Sequence, residues 1–401
     1  MTTLVDLGQD VNELKPSIIA LRRELHQHPE LAFEEIWTAA TLAGRMKALG
    51  LAVQAGIGGT GVLAMLEGGK PGKTLLIRSD MDALPMEDAT GQPYASQLAN
   101  RNHACGHDAN SAIVAGVAQV LARHRDRIAG RIAFVFQPAD EPMRGAKRMI
   151  EDGLLERITP DMSLSVHVLP MANTGQAVVQ AGPIWASRDE LTLKVSGPST
   201  SLGAPTTFDF ARLAAQITTA LYNLVEKEGT STEQVTFRVR SLRAAQNGPV
   251  WLGGSRGEPD HATIEVNLAL YDNALRARLL RRIEEVSGGI SSAASGTLSI
   301  AVDYALPALV NDEYVTAAVE RAARRVIGQL NIIKSWRNPF SDDFGLFMAT
   351  APGCLMLLGT ANPDKGITEI WHRPGFDIDE DALPVGVQIM SLAALDLLHG
   401  E

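Results

Sequence analysis

The sequence predicts an α/β protein, a mainly parallel sheet carrying the chemistry, interrupted by a smaller α+β insertion. Three observations predict it. Its 401 residues exceed what one core usually supports, so two domains are expected. Short runs that are apolar throughout alternate with helical stretches in the two outer thirds, as in parallel sheets covered on both faces. Between about Ser187 and Asp303 the texture shifts to segments alternating apolar and polar residues, as half-exposed antiparallel strands do. The expected division is 1–186 with 303–401 as the larger domain and 187–302 as the insertion.

From Val11 to Leu49, Leu, Ile and Ala recur at three- and four-residue steps, and His28-Pro29 splits that pattern into two helices. KTLLIRSDMDALP gives a strand over Thr74 to Ile77 running into carboxylates. After NHACGHDAN, residues Ser111 to Arg123 form an apolar helix. GRIAFVFQPADE holds a second buried strand, Ile132 to Phe136, and MSLSVHVLP a third around Val166. In the insertion, DELTLKVSG and DHATIEVNLALYD are strands, with helices over about Asp209 to Lys227 and Ala274 to Val286. NDEYVTAAVERAARRVIG and GCLMLLG then return to helix and buried strand.

With 45% apolar and 20% charged residues the composition is that of a globular protein, and the formal charge of -10 argues against nucleic acid as partner. No stretch is long and apolar enough to span a bilayer, and MTTLVDLGQDVNELKP lacks the features of a signal peptide. Two cysteines far apart, Cys105 and Cys354, form no disulfide framework. The expectation is a cytoplasmic protein with a small-molecule substrate.

In open α/β sheets ligands gather beyond the carboxyl ends of the strands. Asp80, Asp82, Asp140, Glu141 and His167 all fall near such ends. Cys105 and His107, two apart before an apolar helix, offer a thiolate and an imidazole, both good ligands for zinc-like ions. Adjacent acids on a loop are usually just solvated, but Asp140 and Glu141 follow a buried strand, where unpaired charge is costly. One of them can bind an ion while the other takes a proton from water activated by it. His167 and His372 complete the set. Asp82 is expected to hold a ligand imidazole in its tautomer, and Asp80 has no assigned task.

These residues carry a resemblance. RRELHQHPELAFEE, IRSDMDALPMED, NHACGHDAN, FVFQPADE with GAKRMIEDG, SVHVLP and WHRPGFDIDEDALPVG are similar to the amidohydrolase branch of the aminoacylase/carboxypeptidase-type metallopeptidases, which includes hippurate hydrolases and auxin-conjugate hydrolases. The resemblance implies one or two zinc- or manganese-type ions. Cys105 would bridge them, with His107, Glu141, His167 and His372 as terminal ligands and Asp140 at the general-base position. It also implies that the insertion is a lid or dimerisation domain, hence a homodimer.

The chain departs from that pattern in places. The base position normally holds Glu, so Asp140 reaches about 1.5 Å less far. Ala109 and Asn110 stand where Gly and His are usual. In the insertion, Ser201 falls where a carbonyl-polarising His is expected, Arg256 replaces an Asn and Ala269 an Arg. The metal ligands are thus complete while the substrate clamp is rebuilt, with Ser201 and Arg256 as its substrate-binding candidates. The leading expectation is hydrolysis of the amide of an N-acyl or aryl-acyl amine by metal-activated water, with Asp140 as base. Hydrolytic deamination of an activated aromatic amine such as a nitroanthranilate is the alternative, since it needs no carbonyl-polarising His. A non-catalytic metal- or ligand-binding descendant is the third. Cys354, His26 and His28 read as structural, His103 as either a ligand itself or merely adjacent to the ligands, and Asp342 with Asp343 as a helix cap or part of the site.

Overall fold

A computed structural model describes residues 6–197, 208–229, 235–245 and 261–399, which fall into two compact units. The first comprises Met1–Ile184, Val310–Trp336 and Asp342–Glu401; the second comprises Trp185–Leu309 and Arg337–Ser341.

The first unit is built on an eight-stranded sheet. Its strands run in the order Ala52–Ile57, Gly61–Glu67, Ala129–Gln137, Lys70–Asp80, Met162–Asn173, Gly353–Ala361, Ala177–Val178, Ile332–Ile333. The four central strands, from Ala129–Gln137 to Gly353–Ala361, are mutually parallel, and antiparallel pairs lie toward both edges. That centre is where the sequence is apolar throughout: Leu75, Leu76 and Ile77, Ile132 to Phe136, and Cys354 to Leu358 are all buried. The helix pair expected before residue 50 is Gly8–Gln27 and Ile36–Ala48. Glu30 links the two by accepting the Trp37 and Thr38 N–H groups at the start of the second.

The His107–Arg123 helix is buried on nearly every side, which explains why its sequence lacks a polar face. It packs against the Gly8–Gln27 and Ala382–Leu397 helices. At Gly116 a Cβ would stand 2.7 Å from Val387 Cγ2 and 3.1 Å from Ile18 Cδ1, so the absent side chain sets how near these helices come.

Gly106, just before this helix, is left-handed at φ +86°, and a Cβ there would lie 2.3 Å from Val168 Cγ2. Gly106→Ala therefore combines backbone strain with overpacking. A loss of about 3 kcal/mol is expected, read from denaturant midpoints. Because Gly106 separates Cys105 from His107, the same substitution is expected to weaken metal uptake.

The second unit holds a four-stranded antiparallel sheet, in the order Thr297–Leu306, Arg188–Ser196, His261–Ala269, Thr236–Ala245. Its helices are Phe210–Glu228 and Asn273–Ala293, capped by the Asp209 and Asp272 carboxylates. Leu191, Leu193, Ile264, Val266, Leu213, Ile217, Leu275 and Leu279 make its core. Buried Asp189 is held by both arms of Arg276, at 2.6 and 2.7 Å. The sequence predicts two strands here and the structure has four. The two unforeseen strands lie at the sheet's edges. Thr236–Ala245 interleaves Phe237 and Val239 with Arg238, Arg240 and Arg243, while Thr297–Leu306 does alternate, its Leu298 and Ile300 packing partly buried against the core, so its pattern was there to be read.

Candidate metal centre

The candidate ligands arrive from a central strand, from the segments that follow such strands and, for His107, from the first turn of the His107–Arg123 helix. Lys70–Asp80 ends at Asp80 and leads to Asp82; Ala129–Gln137 leads to Asp140 and Glu141. His167 sits inside Met162–Asn173 rather than at its end. The pairing of this strand with Lys70–Asp80 stops at Ser165, while its pairing with Gly353–Ala361 continues to Asn173. His167 thus emerges where one neighbour has finished. His372 comes from the loop after Gly353–Ala361; its N–H donates to the Ala104 carbonyl at 2.8 Å, beside Cys105, and its φ is +59°.

These side chains converge into two groups that share one atom, the Cys105 sulfur. Cys105, His107 and His167 form one group, and Cys105, Glu141 and His372 the other; within each, the ligand atoms lie within 4.8 Å of one another. Cys105 Sγ is 3.7 Å from His167 Nε2, and His372 Nε2 is 3.6 Å from Glu141 Oε2. His107 Nε2 lies 4.0 Å from Glu141 Oε1 and 3.7 Å from Asp140 Oδ2. Ligands 2.0–2.3 Å from a tetrahedral ion stand about 3.3–3.8 Å apart, so the Cys105–His167 and Glu141–His372 separations suit an ion within each group.

The polar atoms at the centre are unfinished in the way a cation requires. His107 Nε2 and Glu141 Oε1 are buried without a hydrogen-bond partner. His107 Nδ1 lies 2.8 Å from the Asp82 carbonyl and His167 Nδ1 2.8 Å from the Val168 carbonyl. A carbonyl only accepts, so both rings carry a proton on Nδ1 and aim Nε2 at the centre. Burial is outweighed by Asp80, which holds the His107 imidazole well above its usual range, so its Nε2 keeps a proton until a cation displaces it. Burial, with Asp82 and Asp140 nearby, pushes the Glu141 carboxyl up to about 8, and burial raises the Cys105 thiol well above its usual range. These two groups also hold protons that a divalent ion would displace. The donor set of one thiol, three imidazoles and a carboxylate fits a transition-metal pair.

Asp82 reaches His107 through its carbonyl and, at 3.2 Å, its carboxylate. The carboxylate's main partners are the backbone N–H groups of Asp140 and Glu141, at 2.9 and 3.0 Å. Buried Glu35 takes the preceding N–H, that of Ala139, at 2.8 Å. Two carboxylates therefore fix three consecutive peptides, with Ala139 at φ +50°. Sequence reasoning gave Glu35 no role; a carboxylate with 0% exposure is intelligible only through such partners.

Asp80 finds its place beside Arg78, at 2.9 Å, and receives a 2.8 Å bond from Asn110 Nδ2, whose Oδ1 accepts the Val168 N–H. The Asp80 carboxyl is held down at about 2: His107 and Arg78 outweigh its burial. Asp342 caps the Phe344 N–H, while Asp343 bonds Arg78, Gln137 and the Ala146 N–H. Arg78 was missed too. A cation inside the apolar run LLIRSD was the available signal, since a buried arginine needs acidic partners.

His103 is buried outside both ligand groups, and burial pushes its pKa down to about 3. His26 pairs with Asp108 at 2.7 Å and Asp88 at 3.2 Å, and His28 stacks on Trp37. Cys354 lies in the core. Ser201 and Arg256 fall outside the described residues; Ala269 ends the His261–Ala269 strand.

The chain matches the family model described as peptidase family M20/M25/M40 over residues 76–396. It is 32% identical over 384 residues to an N-acetyl-L-cysteine deacetylase of Bacillus subtilis, covering 95% of this chain and 88% of that protein. With the hippurate hydrolase of Campylobacter jejuni it shares 29% identity over 345 residues, covering 86% and 88%. A solved Bacillus subtilis structure, described as a dinuclear metal binding peptidase from the M20 family, superposes with a TM-score of 0.80 at 28% identity, covering 97% of this chain and 99% of that one. With His107, His167, Glu141 and His372 gathered about the shared Cys105 thiol, and likeness along nearly its whole length, this chain belongs to peptidase family M20/M25/M40.

Proposed function

We propose that this chain hydrolyses the C–N bond of an N-acyl or aryl-acyl amine, with Asp140 as general base at a two-ion centre. One observation carries the proposal: two three-ligand groups share the Cys105 sulfur, with His107 Nε2 and Glu141 Oε1 left unpartnered between them. Divalent metal bound there supplies Lewis acidity, which polarises a carbonyl and makes water acidic enough to ionise near neutral pH.

The remaining work falls to the chain. Asp140 Oδ2, facing His107 Nε2, accepts the proton of the attacking water and returns it to the leaving nitrogen. Asp82 and Glu35 hold the peptides that carry Asp140 and Glu141. His372, with half its side chain exposed, marks the side open to substrate.

Relatives named for N-acetyl-L-cysteine and hippurate support an N-acylated amino acid or a similar small acyl amine as substrate. Ser201 and Arg256 are assigned to substrate binding, Arg256 through an anionic group, which guanidinium pairs with well. Thiol and imidazole ligands favour zinc, and imidazole with carboxylate also suits manganese. The insertion is assigned a lid and dimerisation role. Two free cysteines fit a reducing cytoplasm.

The test is metal analysis, chelation and reconstitution with zinc or manganese, followed by turnover of hippurate, N-acetyl-L-cysteine and a nitroanthranilate. Acyl amino acid hydrolysis lost on chelation and restored by metal is expected. Turnover of the nitroanthranilate alone would make the chain an arylamine deaminase instead. Stoichiometric metal without turnover of any of the three would leave a binding protein. Metal uptake is expected to tighten as pH rises through about 8 and beyond, because binding must displace the Glu141 proton and that of the Cys105 thiol, which is held higher still.

A further inference from the structure

Arg78 is wholly buried and faces four carboxylates. Its Nε donates to Gln137 Oε1 at 2.9 Å and its Nη1 to Asp80 Oδ2 at 2.9 Å. Its Nη2 serves Asp140 Oδ1, Asp343 Oδ1 at 3.2 Å and Asp342 Oδ1 at 3.4 Å. The guanidinium carbon also lies 5.9 Å from the Phe344 ring centroid.

Most of this cage is itself tied down. Gln137 Nε2 donates to Asp343 at 2.7 Å, the Ala146 N–H holds the other Asp343 oxygen at 2.9 Å, and the Phe344 N–H holds Asp342 at 2.8 Å. Asp80 is held by Asn110. Asp140 differs from the other three: its side chain is 13% exposed against 0%, 6% and 0% for Asp80, Asp342 and Asp343. No side chain other than Arg78 is hydrogen-bonded to the Asp140 carboxylate among the described residues. Its second oxygen points toward His107 Nε2, at 3.7 Å.

We propose that Arg78 is a positioning residue for the hydrolysis: it fixes Asp140 through Oδ1 so that Oδ2 alone is presented to the reacting water. This rests on the reading of Asp140 as base. The shorter aspartate makes the constraint consequential, because a carboxylate with less reach has fewer orientations that meet the water. Without the guanidinium, Asp80, Asp342 and Asp343 would repel Asp140 from where it must act. A lysine cannot replace it. One ammonium on a flexible stem keeps the charge but loses the planar fork that serves Gln137, Asp80 and Asp140 in three directions at once.

The experiment measures kcat and KM on hippurate or N-acetyl-L-cysteine for Arg78→Lys, with and without Asp140→Asn, alongside metal content. Arg78→Lys alone is expected to lower kcat about tenfold or more, with KM changed less than about twofold and metal retained. Added to Asp140→Asn it is expected to lower kcat less than about twofold further, because the group it orients is already disabled. Equal losses in both backgrounds, or no loss, would overturn the proposal. Gln137→Met keeps every charge and frees the guanidinium on one side. It is expected to show the same pattern at several-fold scale, and it decides the matter if Arg78→Lys does not fold. Retained turnover in Asp140→Asn alone removes the base assignment and this inference with it. Loss there with an unaffected Arg78→Lys and Gln137→Met removes only this inference. A wild type turning over neither substrate overturns both.

Discussion

Cys105→Ala is expected to remove both ions and abolish turnover while leaving the fold intact. The sulfur is the one atom common to both ligand groups. Without it the first group keeps His107 and His167 and the second keeps Glu141 and His372, two protein ligands each. Catalytic zinc sites use three protein ligands plus an open position, so neither remnant is expected to hold an ion through purification. Replacing a partly buried thiol by a methyl group costs little packing, so thermal unfolding of the metal-free proteins should differ by less than about 1 kcal/mol. Metal content by elemental analysis is the decisive reading, with activity second. Cys105→Asp separates bridging from simple ligation: its two oxygens can bridge, and partial metal retention there with none in Cys105→Ala would support the shared position. Full occupancy in Cys105→Ala would show that the thiol is no ligand.

How far the site could be read from sequence follows from how each residue is held. Cys105, His107, Asp140 and Glu141 were legible because each comes directly after an apolar strand or before an apolar helix, so short-range pattern alone brings them to one sheet edge. His372 depended on a loop tied to distant segments by backbone bonds, His372 N–H to Ala104 and Ala89 N–H to Pro374, which no local pattern announces. His167 reads as a strand end because a polar ring interrupts the apolar run; Val168 and Leu169 resume it, and the structure continues the strand along Gly353–Ala361, where one-sided pairing suffices. Arg78 and Glu35 were not legible as parts of the site, since their meaning lies in partners 62 and 104 residues away along the chain. In the second unit the central strands were readable from alternation; Thr297–Leu306 alternates as well, with Leu298 and Ile300 on the core, whereas three arginines break the pattern of Thr236–Ala245.

Asp140→Asn is expected to keep metal and stability and to lower kcat by a factor of about 100 or more, the lower end for losing a general base. The substitution is nearly isosteric and leaves the backbone bond from the Asp140 N–H to Asp82 in place, so Glu141 stays where it is. Two effects then oppose each other. The amide oxygen can still accept from Arg78, and removing one of four carboxylates relieves repulsion around a single guanidinium, so stability is expected to hold or rise slightly. The amide cannot accept a proton from water, so the rate has to fall. Stability and activity therefore move apart, which an ordinary structural residue would not produce. Asp140→Glu adds one methylene, about 1.5 Å of reach. A glutamate variant with near wild-type kcat would mean that Arg78 and its cage tolerate either length. A marked loss would mean that the cage is fitted to aspartate, and that the shortened base and its arginine work as one unit.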